Sequence, residues 1–192
     1  IDFIFSKEDY PKAVTILREF GYSEVEILKY YPTAKKHYRR LQKENNIAAI
    51  EIHKELVIEK YTSEFNYSFV EKDSQIINGV TVLSYANKLN LSIIANQIND
   101  SGFYYKTIAL RNAYDVFLFS KKTNAMAAVN TLDKLKYPLH CFLAACYEVF
   151  NRVDSLEYNK TTKAASYLSG FNNQFINPIP TKRQSKFNVI YV

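Results

Sequence analysis

Glycine is scarce in this chain, four residues in 192, and Gly21, Gly79, Gly102 and Gly170 stand far apart. Neither a phosphate-cradling P-loop nor a dinucleotide fingerprint can be written from them. Any nucleotide would have to be held by carboxylates, metal and basic side chains. Cysteine is equally sparse: Cys141 and Cys146, five residues apart on an expected helix, point in different directions and have no second pair to complete a zinc site. A disulfide framework is excluded, and two buried free thiols are expected. Long apolar runs are missing too. The stretch from Leu139 to Phe150 is too short and too interrupted to cross a bilayer, and Ile1-Asp2-Phe3 is not the charged start of a secretory signal. The expectation is a soluble, cytoplasmic protein with no membrane partner.

What is present is the composition of one globular domain or two small packed ones, 47% hydrophobic and 23% charged. Lysine and arginine exceed acidic residues to give a net charge of +6. Part of the excess lies in one run, Lys35-Lys36-His37-Tyr38-Arg39-Arg40. Such a balance favours an anionic partner, whether nucleotide, nucleic acid or acidic lipid.

Alternation of apolar residues predicts a strand over Ile1 to Phe5, with Ile1, Phe3 and Phe5 on one face and Asp2 and Ile4 on the other. It begins at the first residue, which suggests that the protein extends further N-terminally. Ser6 is a fitting N-cap for a helix through Ala13, Val14, Leu17 and Phe20 that Gly21 stops. Between Ser23 and Pro32 the pattern does not choose between short helix and loop. Residues 37–43 and 47–56 flank Glu44-Asn45-Asn46 as two extended segments around a hairpin loop. In the second, Ala48, Ile50 and Ile52 form an apolar face and Ala49, Glu51 and His53 the opposite one, which sets Glu51 beside His53. Lys54 to Gln75 reads as irregular with some helix, and Asn78-Gly79 as the turn of a hairpin. After Ser84, a second cap, the spacing becomes helical: Leu89, Ile93, Ile94 and Ile98, then Ile108, Tyr114, Phe117 and Leu118, then Leu139, Leu143, Cys146, Tyr147 and Phe150. The fold class is α+β: a small mixed sheet with flanking helices over 1–84, a helical domain over 85–172 and an extended tail over 173–192.

In order and spacing, several segments together resemble the uncharacterised nucleotidyltransferase-like family, within the superfamily of polymerase-beta-type nucleotidyltransferases. They are Ile1 to Phe5, Ser6 to Tyr10 with Ala13-Val14, Leu17 and Phe20-Gly21-Tyr22, Ile47 to His53, Ile77 to Ser84, and Arg111 with Asp115. The resemblance spans roughly residues 1 to 120. It implies transfer of a nucleoside monophosphate from NTP to an acceptor, with Mg²⁺ or Mn²⁺ between carboxylates and triphosphate. Two cations about 3.5–4 Å apart stabilise the attacking and leaving oxygens of an in-line displacement. Asp2 and Glu51 match two of three metal-binding catalytic carboxylates. His53 matches a family histidine that orients a carboxylate or touches phosphate, or is simply a hydrogen-bonded strand residue. Arg111, Lys106 and Asp115 fall in the helical half. Arg111 and Lys106 are candidates for the nucleotide phosphates, although Arg111 and Asp115 also have the spacing of an ordinary ion pair.

The sequence departs from the family in two places. The family strand reads Asp-Ile-Asp, so its first acid would precede Ile1, and the Gly-Ser turn that grips the triphosphate has no counterpart. Little nucleotidyl transfer is therefore expected of this chain alone. The acceptor, whether protein, RNA or small molecule, and the oligomeric state leave no mark. Two further readings compete: a non-catalytic nucleotide-binding or regulatory module, such as a toxin–antitoxin component, and a helix-turn-helix DNA-binding protein with Thr33 to Lys43 as recognition helix. Under the nucleotidyltransferase reading Arg39 and Arg40 are available for phosphates, and strict alternation would put Arg39 with His37 and Leu41, and Arg40 with Tyr38.

Overall fold

The computed structural model describes residues 2–25 and 36–176, of Phe175 only the backbone. The expected strand residue Ile1, Pro32 and residues 177–192 of the expected tail lie outside the described residues.

Strand β1 (Asp2–Ile4) is followed by helix α1 (Tyr10–Glu19) and the short strands β2 (Ser23–Glu24), β3 (Leu41–Gln42) and β4 (Glu51–His53). Ser6 acts one turn earlier than expected: its Oγ accepts from the Asp9 backbone N–H and donates to the Asp9 carboxylate, both at 3.0 Å. Asp9 then takes the N-cap position, with Pro11 in the first turn, where its missing N–H costs nothing. Strand β1 pairs in parallel with β4, in the register Asp2 to Glu51, Phe3 to Ile52 and Ile4 to His53. Along the other side of β4 runs the segment 37–42, antiparallel, joined by Tyr38 N to Ile52 O at 2.7 Å and a reciprocal Leu41–Ile50 pair at 2.8 Å. Strand β2 closes the far edge against β3.

The alternation read at Ile50 to His53 divides this sheet into two faces. Ile50, Ile52 and Leu41 are buried against Ala13 and Val14 of α1, with Phe5, Tyr10, Leu17, Tyr22 and Tyr38 around them. Burying a side chain such as Ile52 stabilises the fold by about 2–3 kcal/mol. The opposite face carries Asp2, Ile4, Glu51 and His53, and Ile4 packs against the helical core.

That core begins just after β4. Leu56 and Val57 join Phe65 and Val70 in one cluster with the helices. The chain passes a 3₁₀ turn (Glu59–Tyr61), α2 (Tyr67–Glu71) and the hairpin of β5 (Gln75–Ile77) and β6 (Val80–Val82). Asn78 and Gly79 have φ of 50° and 78°, the type I′ geometry expected of that dipeptide. Ser84 caps α3 (Tyr85–Ile94), accepting from the Asn87 N–H at 3.2 Å. Then come α4 (Gly102–Tyr105), α5 (Leu110–Ser120), α6 (Ala125–Asn130), α7 (Lys136–Val149) and α8 (Thr162–Ile176). Leu89, Ile93, Leu139, Leu143 and Cys146, read from spacing alone, are all buried there. Both cysteines are buried free thiols, and among the described residues no helix is long and apolar enough to cross a membrane.

Three expectations are corrected. Residues 173–176, taken for the start of an extended tail, are the last turn of α8. The helix-turn-helix reading fails, because the described part of its recognition helix, residues 36–43, is extended and paired to Ile50 and Ile52. Strict alternation of Arg39 and Arg40 fails as well. Bridges join His37 to His53 and Leu41 to Ile50, so the first segment holds one more residue than its partner between them. That is a β-bulge, and it redirects side chains.

The sheet and the helices are tied together where α3 widens into a π-helical turn, Ala95–Asn99. Asn99 Nδ2 donates to the carbonyl of Leu56, three residues past β4, at 3.1 Å. Gly102 closes on this turn so tightly that a Cβ there would lie 2.8 Å from the Asn96 carbonyl and 2.9 Å from Gln97 Nε2. Gly102→Ala is expected to destabilise the protein by about 1–3 kcal/mol through overpacking, a shift that urea denaturation followed by circular dichroism will register; an unchanged midpoint would contradict this packing.

Candidate functional site

The in-register pairing of β1 with β4 sets Asp2 beside Glu51 on one face, and the two-residue period of a strand adds His53 to the same face. One ligand atom from each of the three lies within 4.8 Å of the others. Asp2 is exposed, whereas Glu51 and His53 are half-buried. Glu51 uses its two oxygens differently. Oε1 accepts from Arg40 Nε at 2.8 Å and from Arg40 Nη2 at 2.5 Å. Oε2 lies 3.9 Å from His53 Nε2.

Arg40 reaches Glu51 because of the bulge. On the α1 side, Glu24 accepts from Arg18 at 2.6 Å, from the Tyr38 hydroxyl at 2.5 Å and from Arg39 Nη1 at 3.1 Å. These bonds hold residues 38 and 39 toward α1, and the extra residue lets Arg40 turn to the opposite face. Arg40 is thus committed to a carboxylate of the cluster, and Arg39 to Glu24. Neither stands ready for phosphate as the sequence suggested.

Charges on this face are arranged by their surroundings. Burial pushes the Glu51 carboxyl up, but the Arg40 hydrogen bonds and charge, with His37 and His53, outweigh it and hold the group below its ordinary range. Burial, the neighbouring His37 and Lys36 push the His53 imidazole down, against the opposing pull of Asp2 and Glu51. These surroundings favour the ionised form of Glu51 and the neutral form of His53, the forms in which such groups bind metals. The His37 ring lies tilted against that of His53, 5.3 Å between centres, and its Nδ1 contacts the Tyr38 carbonyl at 2.9 Å. The sequence run containing Lys36 and His37 was legible only as positive charge. The signal that would have placed His37 here is its pairing with His53, which needs the bulge to be known.

Of the expected nucleotide-binding residues, only His53 joins this cluster. Lys106 is engaged elsewhere: its ammonium lies 4.4 Å from the Phe103 ring centre and 5.2 Å from that of Tyr167, and donates to the Phe103 carbonyl at 3.1 Å. Arg111 is exposed at the start of α5. Among the described residues, no ion pair joins it to Asp115, which is half-buried one turn on.

The folded-state value of Glu51 is depressed, so its contribution to stability is present above the ordinary carboxylate range and is lost as pH falls through that folded-state value. Arg40→Met is expected to move the Glu51 carboxyl back up, read as its titration in carboxyl-carbon NMR. Because the pair is partly exposed, the accompanying loss of stability at neutral pH is about 1 kcal/mol or less. An unmoved Glu51 titration would contradict the clamp.

Comparison with known proteins adds one finding to this geometry. Neither curated proteins nor solved structures gave a match. A family model did, over residues 1–150, a span that includes β1, β4 and most of the helical half. The chain belongs to the family described as uncharacterised nucleotidyltransferase.

Proposed function

We propose that this chain binds a nucleoside triphosphate with a divalent cation held by Asp2 and Glu51, in the service of transferring a nucleoside monophosphate to an acceptor. The observation that carries the reading is the in-register opposition of Asp2 and Glu51 on adjacent parallel strands, in a chain whose family is a nucleotidyltransferase family. Two strands in a ladder are a rigid support, and a carboxylate pair on them needs little reorganisation to meet a hard cation. When bound, such an ion neutralises triphosphate charge and polarises the phosphoryl group under attack.

The chain's own residues prepare that site. Arg40 occupies one oxygen of Glu51 and keeps the group ionised, leaving the other oxygen directed at His53. Ile50, Ile52 and Leu41 anchor the strands from behind, so the acidic face cannot turn over without exposing the α1 core. Lys106 is held by aromatic rings and Arg111 is exposed on α5, so the reading rests on β1 and β4.

Titration calorimetry with ATP in the presence of Mg²⁺ or Mn²⁺ tests it, alongside a panel of α-labelled nucleotides offered with candidate acceptors. Glu51→Gln removes charge at nearly constant volume. It is expected to weaken metal-dependent nucleotide binding about tenfold or more, the scale on which ligand-sphere changes act. Little transfer is expected of this chain alone, so metal-dependent nucleotide binding is the deciding readout, and its absence would overturn the reading. Binding unaffected by Glu51→Gln would overturn the metal role.

A further inference from the structure

His53 stands out on the acidic face. Among the described residues neither of its ring nitrogens makes a hydrogen bond, although the ring is half-buried, with a side-chain exposure of 25%. Its Nε2 faces Glu51 Oε2 across 3.9 Å. That separation is too long for a hydrogen bond. Bonds of about 2.0–2.2 Å from a metal to imidazole nitrogen and to carboxylate oxygen put a tetrahedral pair of donors roughly 3.4 Å apart and an opposed pair at most roughly 4.3 Å apart, so an approach of about half an ångström brings these two atoms onto one ion. Asp2 offers a third donor within 4.8 Å of both; its side chain is exposed, so rotation about its own bonds can bring that oxygen inside the ceiling. The remaining Glu51 oxygen is already taken by Arg40, so the carboxylate presents a single oxygen to this space.

From this juxtaposition we infer that His53 is a metal ligand and that the ion held by Asp2, Glu51 and His53 is a divalent transition ion, of the series from Mn²⁺ to Zn²⁺, in preference to Mg²⁺. The inference rests on the metal reading given above and specifies its ligand set. The chemical reason is ligand type. Mg²⁺ takes oxygen ligands, keeps several waters and is reluctant to exchange them. Imidazole nitrogen suits the later ions, whose affinity for a mixed nitrogen and oxygen site rises along the first transition row. A site with two carboxylates and one imidazole is therefore graded between the two classes, and the nitrogen tips it. The His37 ring packs beside His53 rather than within the donor cluster, so it acts as a wall that limits the rotation of His53.

The test uses the full chain without nucleotide. Mn²⁺ binding is followed by electron paramagnetic resonance, with Mg²⁺ as competitor, and the bound ion is examined for nitrogen coupling by pulsed methods. Expected results are a Mn²⁺ affinity at least about tenfold above that for Mg²⁺, and nitrogen coupling that disappears in His53→Gln but persists in His37→Gln. His53→Gln is also expected to bring the two affinities closer together, and His53→Asn serves if the first variant does not fold, as judged by circular dichroism. Mn²⁺ bound without nitrogen coupling, or coupling lost only with His37, would overturn the assignment while leaving a carboxylate site that Glu51→Gln abolishes. Absence of any Mn²⁺ or Mg²⁺ binding to the unaltered chain would overturn the metal reading itself, and this assignment with it.

Discussion

The parallel ladder between Asp2–Ile4 and Glu51–His53 is the constraint on which the site depends. Its register alone decides that Asp2 meets Glu51 and that Ile4 meets His53. A slip of one residue would set Asp2 opposite an apolar neighbour and turn the acidic groups toward α1. Burial fixes that register. Ile50 and Ile52 on one face are covered by α1, and Ile4 on the other packs on the helical core, so both faces of the ladder resist a slip. The crossover that brings β4 beside β1 contains α1, and the same helix that joins the strands also covers them.

A second layer of organisation comes from an irregularity. The bulge opposite β4 breaks the alternation of the basic run and sends Arg40 to Glu51, while Tyr38 and Arg39 stay with Glu24. The two arginines of a basic cluster that composition alone assigns to anionic ligands are thus spent on internal carboxylates. Its contribution to the site is indirect: it holds one acid ionised and leaves that acid a single open oxygen. The widened turn after α3 plays a comparable role at larger scale, since Asn99 links the helical core to the residue that follows the acidic strand by three.

Much of this was legible before any coordinates. Period-two alternation at Ile50 to His53 placed Glu51 and His53 on one face, and the Asn78-Gly79 pair announced its turn, because in both cases the signal is local. The cap at Ser84 and the buried faces of α3 and α7 followed from helical spacing for the same reason, whereas in α5 the spacing picked Tyr114 and Leu118, which are exposed, and passed over Ala113 and Val116, which are buried. What could not be read is whatever depends on pairing partners. The bulge changes one residue in a register, and no feature of Lys36 to Arg40 records it. Lys106 looked available for phosphate because cation–aromatic contacts with Phe103 and Tyr167 bring together residues far apart in the chain. Most of α8 fell within the helical stretch expected to residue 172, but its own spacing went unread because its polar residues and Gly170 dilute the apolar pattern; its burial comes from packing on α7 through Tyr167 and Phe171.

The central claim is that β1 and β4 present one metal-binding face. Paramagnetic broadening by substoichiometric Mn²⁺, mapped residue by residue in amide NMR spectra, tests it most directly. The account predicts broadening centred on Asp2, Glu51 and His53 and reaching Arg40 and His37. Broadening centred anywhere else, with these strands spared, would contradict it.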